Sequence, residues 1–324
     1  MKALVVSELA PDFAGTGIRD LPLPEPRAGE VRVAIRAASL NFPDLLMTEG
    51  KYQLKPDLPF TLGMELAGVV DAVGEGVTAF RPGDEVAGGS RIGAFAEHIA
   101  LPAAGLRKKP AALSFAQASA FGAAYLTAYV SLVIRGNLQP GETLLVHGAS
   151  GGVGMAAVEV GKLLGARVIA TSASDEKLKT VQARGADHVI NVTRGFREEV
   201  KALTGGRGAD VIYDPVGGDV FDESVRCIAF DGRLLIIGFT SGRIPTVSVN
   251  MPLIKGFSVV GVRAGEYGRQ FPEKGRANQD AIWKWAEESK VKPCIHAQVP
   301  LADWRCAFDM MRGREIVGKV VLVP

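Results

Sequence analysis

The sequence predicts an α/β protein of two parts: a β-rich domain first, then a doubly wound parallel sheet. Three observations predict it. The first third carries short apolar runs punctuated by Pro22, Pro24, Pro26, Gly29, Gly74, Gly76, Pro82 and Gly83, the spacing of a barrel-like or sandwich-like domain. From residue 142 strand-like and helix-like segments alternate, which implies βαβ units. One of those units contains a glycine-rich turn between its first strand and first helix.

In the first part, residues 31–40 (VRVAIRAASL) alternate apolar with polar or small residues, the period of a half-buried strand. Gly63–Val73 and Glu85–Val86 read as further strands. Phe115–Leu132 is Ala-rich and reads as one helix. Strands then follow at Thr143–His147, Arg167–Thr171, His188–Asn191, Asp210–Tyr213, Arg233–Ile237 and Val259–Val262. Helices fall at Val153–Leu164, Glu176–Ala183, Arg197–Leu203 and Phe221–Phe230. After residue 265 the alternation stops; Gln279–Ser289 and Ala307–Arg312 read as helical, and Lys319–Val323 as a closing strand that packs back on the first domain.

The chain has 324 residues, which suggests two domains, and its 47% hydrophobic and 22% charged residues suffice for a full core, so disorder over most of its length is excluded. Thirty-seven basic against 35 acidic residues give a net charge of +2 and no reason to expect a polyanion surface. Cys227, Cys294 and Cys306 form no C-x-x-C pair, so neither a disulfide framework nor a cysteine zinc site is expected, and a reducing, cytoplasmic location is. The N-terminus lacks signal-peptide character, and no apolar run approaches the ~20 residues of a membrane span.

The strongest chemical signal is Val146-His147-Gly148-Ala149-Ser150-Gly151-Gly152-Val153-Gly154. A pyrophosphate needs bare backbone N–H groups and the positive end of a helix dipole, and glycine lets that backbone approach. Ser150, Gly151, Gly152 and Val153 are therefore expected to hold a dinucleotide. The next strand ends Ala170-Thr171-Ser172-Ala173-Ser174, with no acid at its tip to hold a ribose 2′-hydroxyl or to repel a 2′-phosphate. Ser172, Ser174 and Lys177 can instead receive that phosphate, so NADPH is expected, although Asp175 and Glu176 stand close by in the first helical turn.

The chain resembles the zinc-free medium-chain dehydrogenase/reductases, specifically quinone oxidoreductases of the zeta-crystallin type. The landmarks are Gly29-Glu30-Val31, Asn41-Phe42-Pro43-Asp44, Gly63-Met64-Glu65-Leu66-Ala67-Gly68, Gly83-Asp84-Glu85-Val86, Thr127-Ala128-Tyr129, the glycine-rich turn, Asp214-Pro215-Val216-Gly217-Gly218 and Gly318-Lys319-Val320-Val321-Leu322. The resemblance implies a GroES-like catalytic domain (residues 1–120 and 265–324) around an inserted Rossmann NADP-binding domain (121–264). It also implies a homodimer joined near Phe257–Val262. It places Asn41 and Thr127 near the nicotinamide, with Gly238, Phe239, Thr240, Val262, Arg263 and Lys319 beside the cofactor. Tyr52 is a candidate donor to a carbonyl or quinone oxygen. Catalytic candidates are thus Asn41, Tyr52 and Thr127.

No metal is expected. Zinc-dependent relatives carry Cys at the position of Asn41 and His at that of Met64, and amide oxygen and thioether are poor substitutes at a tetrahedral zinc. Their four-cysteine structural lobe is missing too. Two departures concern the cofactor: Val192 replaces a Tyr or His, with Arg194 a candidate substitute, and Leu46 replaces an aromatic. The expected activity is NADPH-dependent reduction of quinones. Reduction of an enone or enoyl-thioester double bond is the alternative, with Arg263, Arg269, Lys274 and Arg276 as a candidate coenzyme A rim. A non-catalytic NADPH-binding structural or RNA-binding protein is a further alternative, and nucleic-acid and membrane partners are not expected.

Overall fold

The computed structural model describes residues 1–324. In chain order the strands are β1 (Lys2–Val6), β2 (Thr16–Asp20), β3 (Glu30–Ser39), β4 (Phe60–Thr61), β5 (Glu65–Val73), β6 (Glu85–Gly89), β7 (His98–Pro102), β8 (Leu106–Lys108), β9 (Thr143–Val146), β10 (Arg167–Ser172), β11 (His188–Asn191), β12 (Ala209–Asp214), β13 (Ile228–Ile236), β14 (Ser258–Gly261), β15 (Ile295–Pro300) and β16 (Lys319–Val323). The helices are α1 (Phe42–Thr48), α2 (Phe115–Ser119), α3 (Gly122–Tyr129), α4 (Gly152–Leu163), α5 (Asp175–Ala183), α6 (Arg197–Leu203), α7 (Gly218–Cys227), α8 (Asn250–Lys255), α9 (Ala264–Gln270), α10 (Pro272–Glu287) and α11 (Trp304–Arg312).

The chain divides into two compact units, Met1–Gly122 with Lys292–Pro324, and Ala123–Val291. The first unit is the expected β-rich domain. Its seven-stranded sheet runs β15-β16-β3-β5-β6-β8, with β7 also paired to β3, beside a small sheet β2-β1-β4. The alternation of β3 buries Val31, Val33 and Ile35 in a core shared with Leu66, Val70, Leu101, Phe95 and Phe308. The closing strand β16 returns to this sheet, pairing antiparallel with β3 through Val321–Ser39 and Leu322–Ala38.

The second unit holds six parallel strands in the order β11-β10-β9-β12-β13-β14. Numbered from β9, that is 3-2-1-4-5-6, the doubly wound order, in which a ligand crevice opens at the carboxyl ends where the winding reverses between strands one and four. Here the reversal lies between β9 and β12.

Four expectations are corrected. The chain returns to the first unit at Lys292 rather than 265, because α10 buries Ile282, Trp283 and Ala286, and the Trp285 ring packs tilted against Tyr129 of α3, 5.4 Å between centroids. The first boundary falls at 122/123. The helix expected over Phe115–Leu132 is broken at Ala120–Phe121 and runs through α3 into a π-helical turn, Val130–Arg135. Phe121 is fully buried, and Ser119 Oγ turns back to the carbonyl of Ala116 at 2.9 Å, which competes with helix continuation. The helix expected over Phe221–Phe230 stops at Cys227, because Ile228 is already extended and begins β13 against Ala209.

Candidate functional site

In the second unit the strand ends build a crevice wall from backbone groups. After β9 the chain turns through Gly148 (φ +55°), and Gly151 is the N-cap of α4. Gly154 must be glycine: a Cβ there would lie 2.4 Å from the carbonyl oxygen of Gly148 and 2.8 Å from Ala149 Cα. The helix start is therefore seated on its own turn. The free N–H groups of its first turn and the positive dipole end supply the arrangement that receives a pyrophosphate.

His147 anchors this turn from beneath. It is fully buried between two hydroxyls, with Thr171 Oγ1 2.9 Å from Nδ1 and Ser224 Oγ 2.9 Å from Nε2. Ser224 Oγ already donates to the carbonyl of Val220 at 2.6 Å, so it accepts from His147 Nε2–H, and Nδ1 accepts from Thr171. Burial pushes the imidazole down to about 3, so it is neutral. Ala149 N–H donates to the carbonyl of Thr171 at 2.9 Å, a second tie between the turn and β10.

At the tip of β10, Ser172 is buried, and its Oγ lies 3.1 Å from Ser150 Oγ. The glycine-rich turn and the expected 2′-phosphate position are thus physically joined. Ser174 caps α5, its Oγ accepting from Lys177 N–H at 3.4 Å, and Lys177 is half-buried. The two nearby acids point to other partners. Asp175 takes Asn191 Nδ2 at 2.8 Å and Arg194 Nη2 at 3.2 Å, and Glu176 takes Lys179 at 2.7 Å. Arg194 is thereby engaged, and Val192 packs toward the second unit's core.

The loops after β12 and β13 are joined at the same end of the sheet. Asp214 Oδ1 accepts from Val216 and Gly217 N–H at 2.8 and 2.9 Å. Thr240 N–H donates to the carbonyl of Pro215 at 3.1 Å, while Gly238 lies against Pro215 and Phe239 is partly exposed. Val262 is buried, its N–H on the carbonyl of Ile236 at 3.0 Å, and Arg263 starts α9. Thr127 lies on α3, where its carbonyl accepts Ser131 Oγ at 2.6 Å. The candidate rim is weakened as a phosphate grip, because Glu266 pairs with Arg269 at 2.8 Å and approaches Arg263 at 3.8 Å.

In the first unit the structure joins two of the expected residues, Asn41 and Lys319. Lys319 Nζ donates to Asn41 Oδ1 at 2.6 Å and lies 3.8 Å from Glu65 Oε2. Asn41 Nδ2 donates to Glu65 Oε2 at 3.0 Å and to the carbonyl of Ser39 at 3.2 Å. Asn41 N–H donates to Asp44 Oδ2 at 2.8 Å, which closes the start of α1. Burial pushes the Asp44 carboxyl up to about 7 and Lys319 below its ordinary value, the latter against the pull of Glu65 and Asp44. Sequence reasoning missed Asp44 and Glu65 as members of this group. The Asn-x-x-Asp spacing of a cap marks Asp44, but nothing local marks Glu65. Tyr52 packs on the first unit's core. No group of three or more His, Cys, Asp or Glu side chains is placed to hold a metal.

Residues 27–111 match the alcohol dehydrogenase GroES-like domain family, and residues 152–277 match the family described as zinc-binding dehydrogenase. A quinone oxidoreductase-like protein 2 homolog from Nematostella vectensis is 42% identical over 297 residues, 90% of this chain and 81% of that protein. A mycobacterial protein solved in complex with NADPH superposes with a TM-score of 0.92 at 32% identity, covering 100% of both chains. Escherichia coli quinone oxidoreductase, also solved with NADPH, gives 0.90 at 29% identity, again over 100% of both.

Proposed function

From the premise that this chain belongs to the quinone oxidoreductases of the medium-chain dehydrogenase/reductase superfamily, and is thus an oxidoreductase, we propose that it reduces quinones with NADPH and without zinc. The observation that carries this reading is the Lys319 ammonium, seated 2.6 Å from Asn41 Oδ1 and 3.8 Å from Glu65. It commits the Asn41 amide oxygen to a buried lysine at one of the two positions where zinc-dependent relatives carry a ligand. Without a metal to acidify a hydroxyl, an already conjugated carbonyl acceptor suits the site better than a saturated alcohol.

Bound NADPH supplies the hydride. The N–H groups of Ser150, Gly152 and Val153 receive its pyrophosphate, while Gly151 N–H, donated to the Gly148 carbonyl at 3.0 Å, and Gly154 keep the turn in place. Ser172 and Lys177 receive the 2′-phosphate at a strand tip whose neighbouring acids, Asp175 and Glu176, are held by Asn191, Arg194 and Lys179. Gly238, Phe239, Thr240, Val262 and Arg263 flank the nicotinamide half, with Asn41 and Thr127 at the ring and Tyr52 donating to the acceptor oxygen. We place the protein in the cytoplasm, in keeping with its three free cysteines; no helix is long and apolar enough to cross a membrane. β14 is one of the two unpaired edges of its sheet, and Phe230, Leu253 and Ile254 are 82%, 82% and 71% exposed in the same unit. A homodimer formed over that edge would cover them.

The test is NADPH oxidation with 1,4-benzoquinone and 9,10-phenanthrenequinone, beside 2-cyclohexenone and crotonyl-CoA, with NADH in parallel. Turnover is expected with the quinones and NADPH. Turnover confined to the enone or the thioester would replace quinone reduction with double-bond reduction.

A further inference from the structure

The loop between β1 and β2 is closed at its neck, where Ser7 and Glu8 N–H both donate to the carbonyl of Gly15, at 2.8 and 3.4 Å. At its tip Asp12 and Phe13 are consecutive left-handed residues, with φ +54° and +59°. For a residue as bulky as Phe this backbone is an outlier, kept only where the surroundings over-determine it. Those surroundings come from α11. Phe13 is buried edge-on against Trp304 and Phe308, with ring centroids 6.2 and 5.2 Å apart. The guanidinium carbons of Arg305 and Arg312 stand 5.7 and 5.1 Å from the centroid of the Phe13 ring. The same two arginines grip Asp12. Arg305 donates to one carboxylate oxygen at 2.7 Å and to the main-chain carbonyl at 3.2 Å, and Arg312 donates to the other carboxylate oxygen. One exposed ion pair is worth little, but here two guanidinium groups share a carboxylate, a carbonyl and a ring.

The gripped loop reaches the end of α1. The last carbonyls of a helix have no partner inside it, and that of Thr48 accepts from Ala10 N–H at 3.1 Å. Leu9 covers the next turn: a Cβ on Gly50, which has φ +68°, would stand 2.9 Å from Leu9 Cδ1. Two residues further on is Tyr52, packed on the core of the same unit. Every contact in this path lies within Met1–Gly122 and Lys292–Pro324.

We propose that residues 8–15 are a strap, locked through Asp12 by Arg305 and Arg312, that holds the turn after α1 and so positions Tyr52. Asp12, Arg305 and Arg312 are then positioning residues. Their effect on turnover rests on the reading that Tyr52 donates to the acceptor oxygen. Releasing the strap loosens the turn without opening the core, because Asp12 is exposed while Phe13 stays anchored. Acceptor binding should suffer, and NADPH binding should not.

The test is hydrogen exchange of the full chain, read by mass spectrometry, for the wild type, Asp12→Ala, Asp12→Asn and Arg305→Gln/Arg312→Gln. Asn tolerates the left-handed backbone and keeps one acceptor oxygen, so it is the conservative variant. Exchange over residues 8–15 and 46–53 is expected to rise together by about tenfold in Asp12→Ala and in the double arginine variant. In Asp12→Asn the rise should be about threefold or less, and the second unit should be unchanged in all three. In steady-state kinetics Asp12→Ala should raise KM for 1,4-benzoquinone about fivefold or more and leave KM for NADPH alone. In a Tyr52→Phe background Asp12→Ala should add nothing further to the acceptor KM. Loosening confined to residues 8–15, or none at all, would overturn the proposal. So would a rise in acceptor KM that persists undiminished in the Tyr52→Phe background. If both segments loosen together but Tyr52→Phe alone leaves the acceptor KM unchanged, the donor role of Tyr52 falls and the strap's hold on the turn stands.

Discussion

Replacing Gly154 with alanine tests the cofactor crevice at its tightest point. The added Cβ would meet the Gly148 carbonyl oxygen at 2.4 Å and Ala149 Cα at 2.8 Å, and both are backbone atoms that cannot rotate away. An ordinary contact needs roughly 3.4 Å, so helix and turn must separate by about 1 Å, at an overpacking cost of ~1–3 kcal/mol. A fall in Tm of a few degrees follows for a unit of this size, at about 2–4 °C per kcal/mol. The same separation moves the N–H groups of Ser150, Gly152 and Val153 away from the pyrophosphate. Losing one charged hydrogen bond of ~1.5–3 kcal/mol corresponds to about a 10- to 100-fold rise in Kd for NADPH. Gly151→Ala is the stability control, since a Cβ there meets only the Gly148 oxygen at 3.5 Å and the backbone is already at φ −82°. Thermal melts and NADPH fluorescence titrations on both variants make the comparison. A Gly154→Ala protein with wild-type Tm and wild-type NADPH affinity would refute the close-approach argument.

Three further outcomes are expected. Ser172→Asp, which places a carboxylate at the β10 tip beside Ser150, should raise KM for NADPH about tenfold or more and lower it for NADH; steady-state kinetics with both cofactors decide, and parallel changes would remove Ser172 from the phosphate position. The Asp44 carboxyl, pushed by burial from 3.8 to about 7, binds its proton more tightly folded than unfolded, so its stabilising contribution is complete below about pH 4 and is lost as pH rises toward 7 and beyond. Asp44→Asn, which keeps an acceptor for Asn41 N–H, should therefore gain stability relative to wild type between pH 5 and pH 8, by about 2–3 kcal/mol, and denaturant melts at the two pH values would expose a constant difference if the reasoning is wrong. His147→Ala leaves the Thr171 and Ser224 hydroxyls without their partner and should cost ~2–4 kcal/mol near pH 8; because the imidazole stays neutral when folded but protonates near 6.5 when unfolded, the wild-type residue's contribution shrinks as pH falls from about 6.5 toward 3, and an unchanged denaturation midpoint at pH 8 would contradict the anchoring role.

The sequence was most readable where one local rule acted alone. His188–Asn191, Arg197–Leu203 and Lys319–Val323 match their elements end to end, because each is a short periodic run between clear breakers. The glycine-rich turn was legible because Gly148, Gly151 and Gly154 serve backbone geometry that no other residue serves as well. Elements hidden by competing tertiary contacts were not. No Gly or Pro separates Cys227 from Ile228, so the change from helix to strand is written only in the pairing of Ile228 with Ala209. Alanine-rich 115–132 promised one helix, and the burial of Phe121 divided it. Lys319 was noted only as part of a family motif; its partners Asn41 and Glu65 stand 278 and 254 residues earlier, and only the return of β16 onto β3 brings them together.

The most direct measurement of the central claim is NADPH-to-1,4-benzoquinone turnover by protein stripped with a strong chelator, with the metal content of the same sample measured. An ammonium fixed beside Asn41 and Glu65 predicts full turnover by metal-free protein and no stimulation by added Zn²⁺. Activity that disappears with the metal and returns in proportion to Zn²⁺ would contradict it.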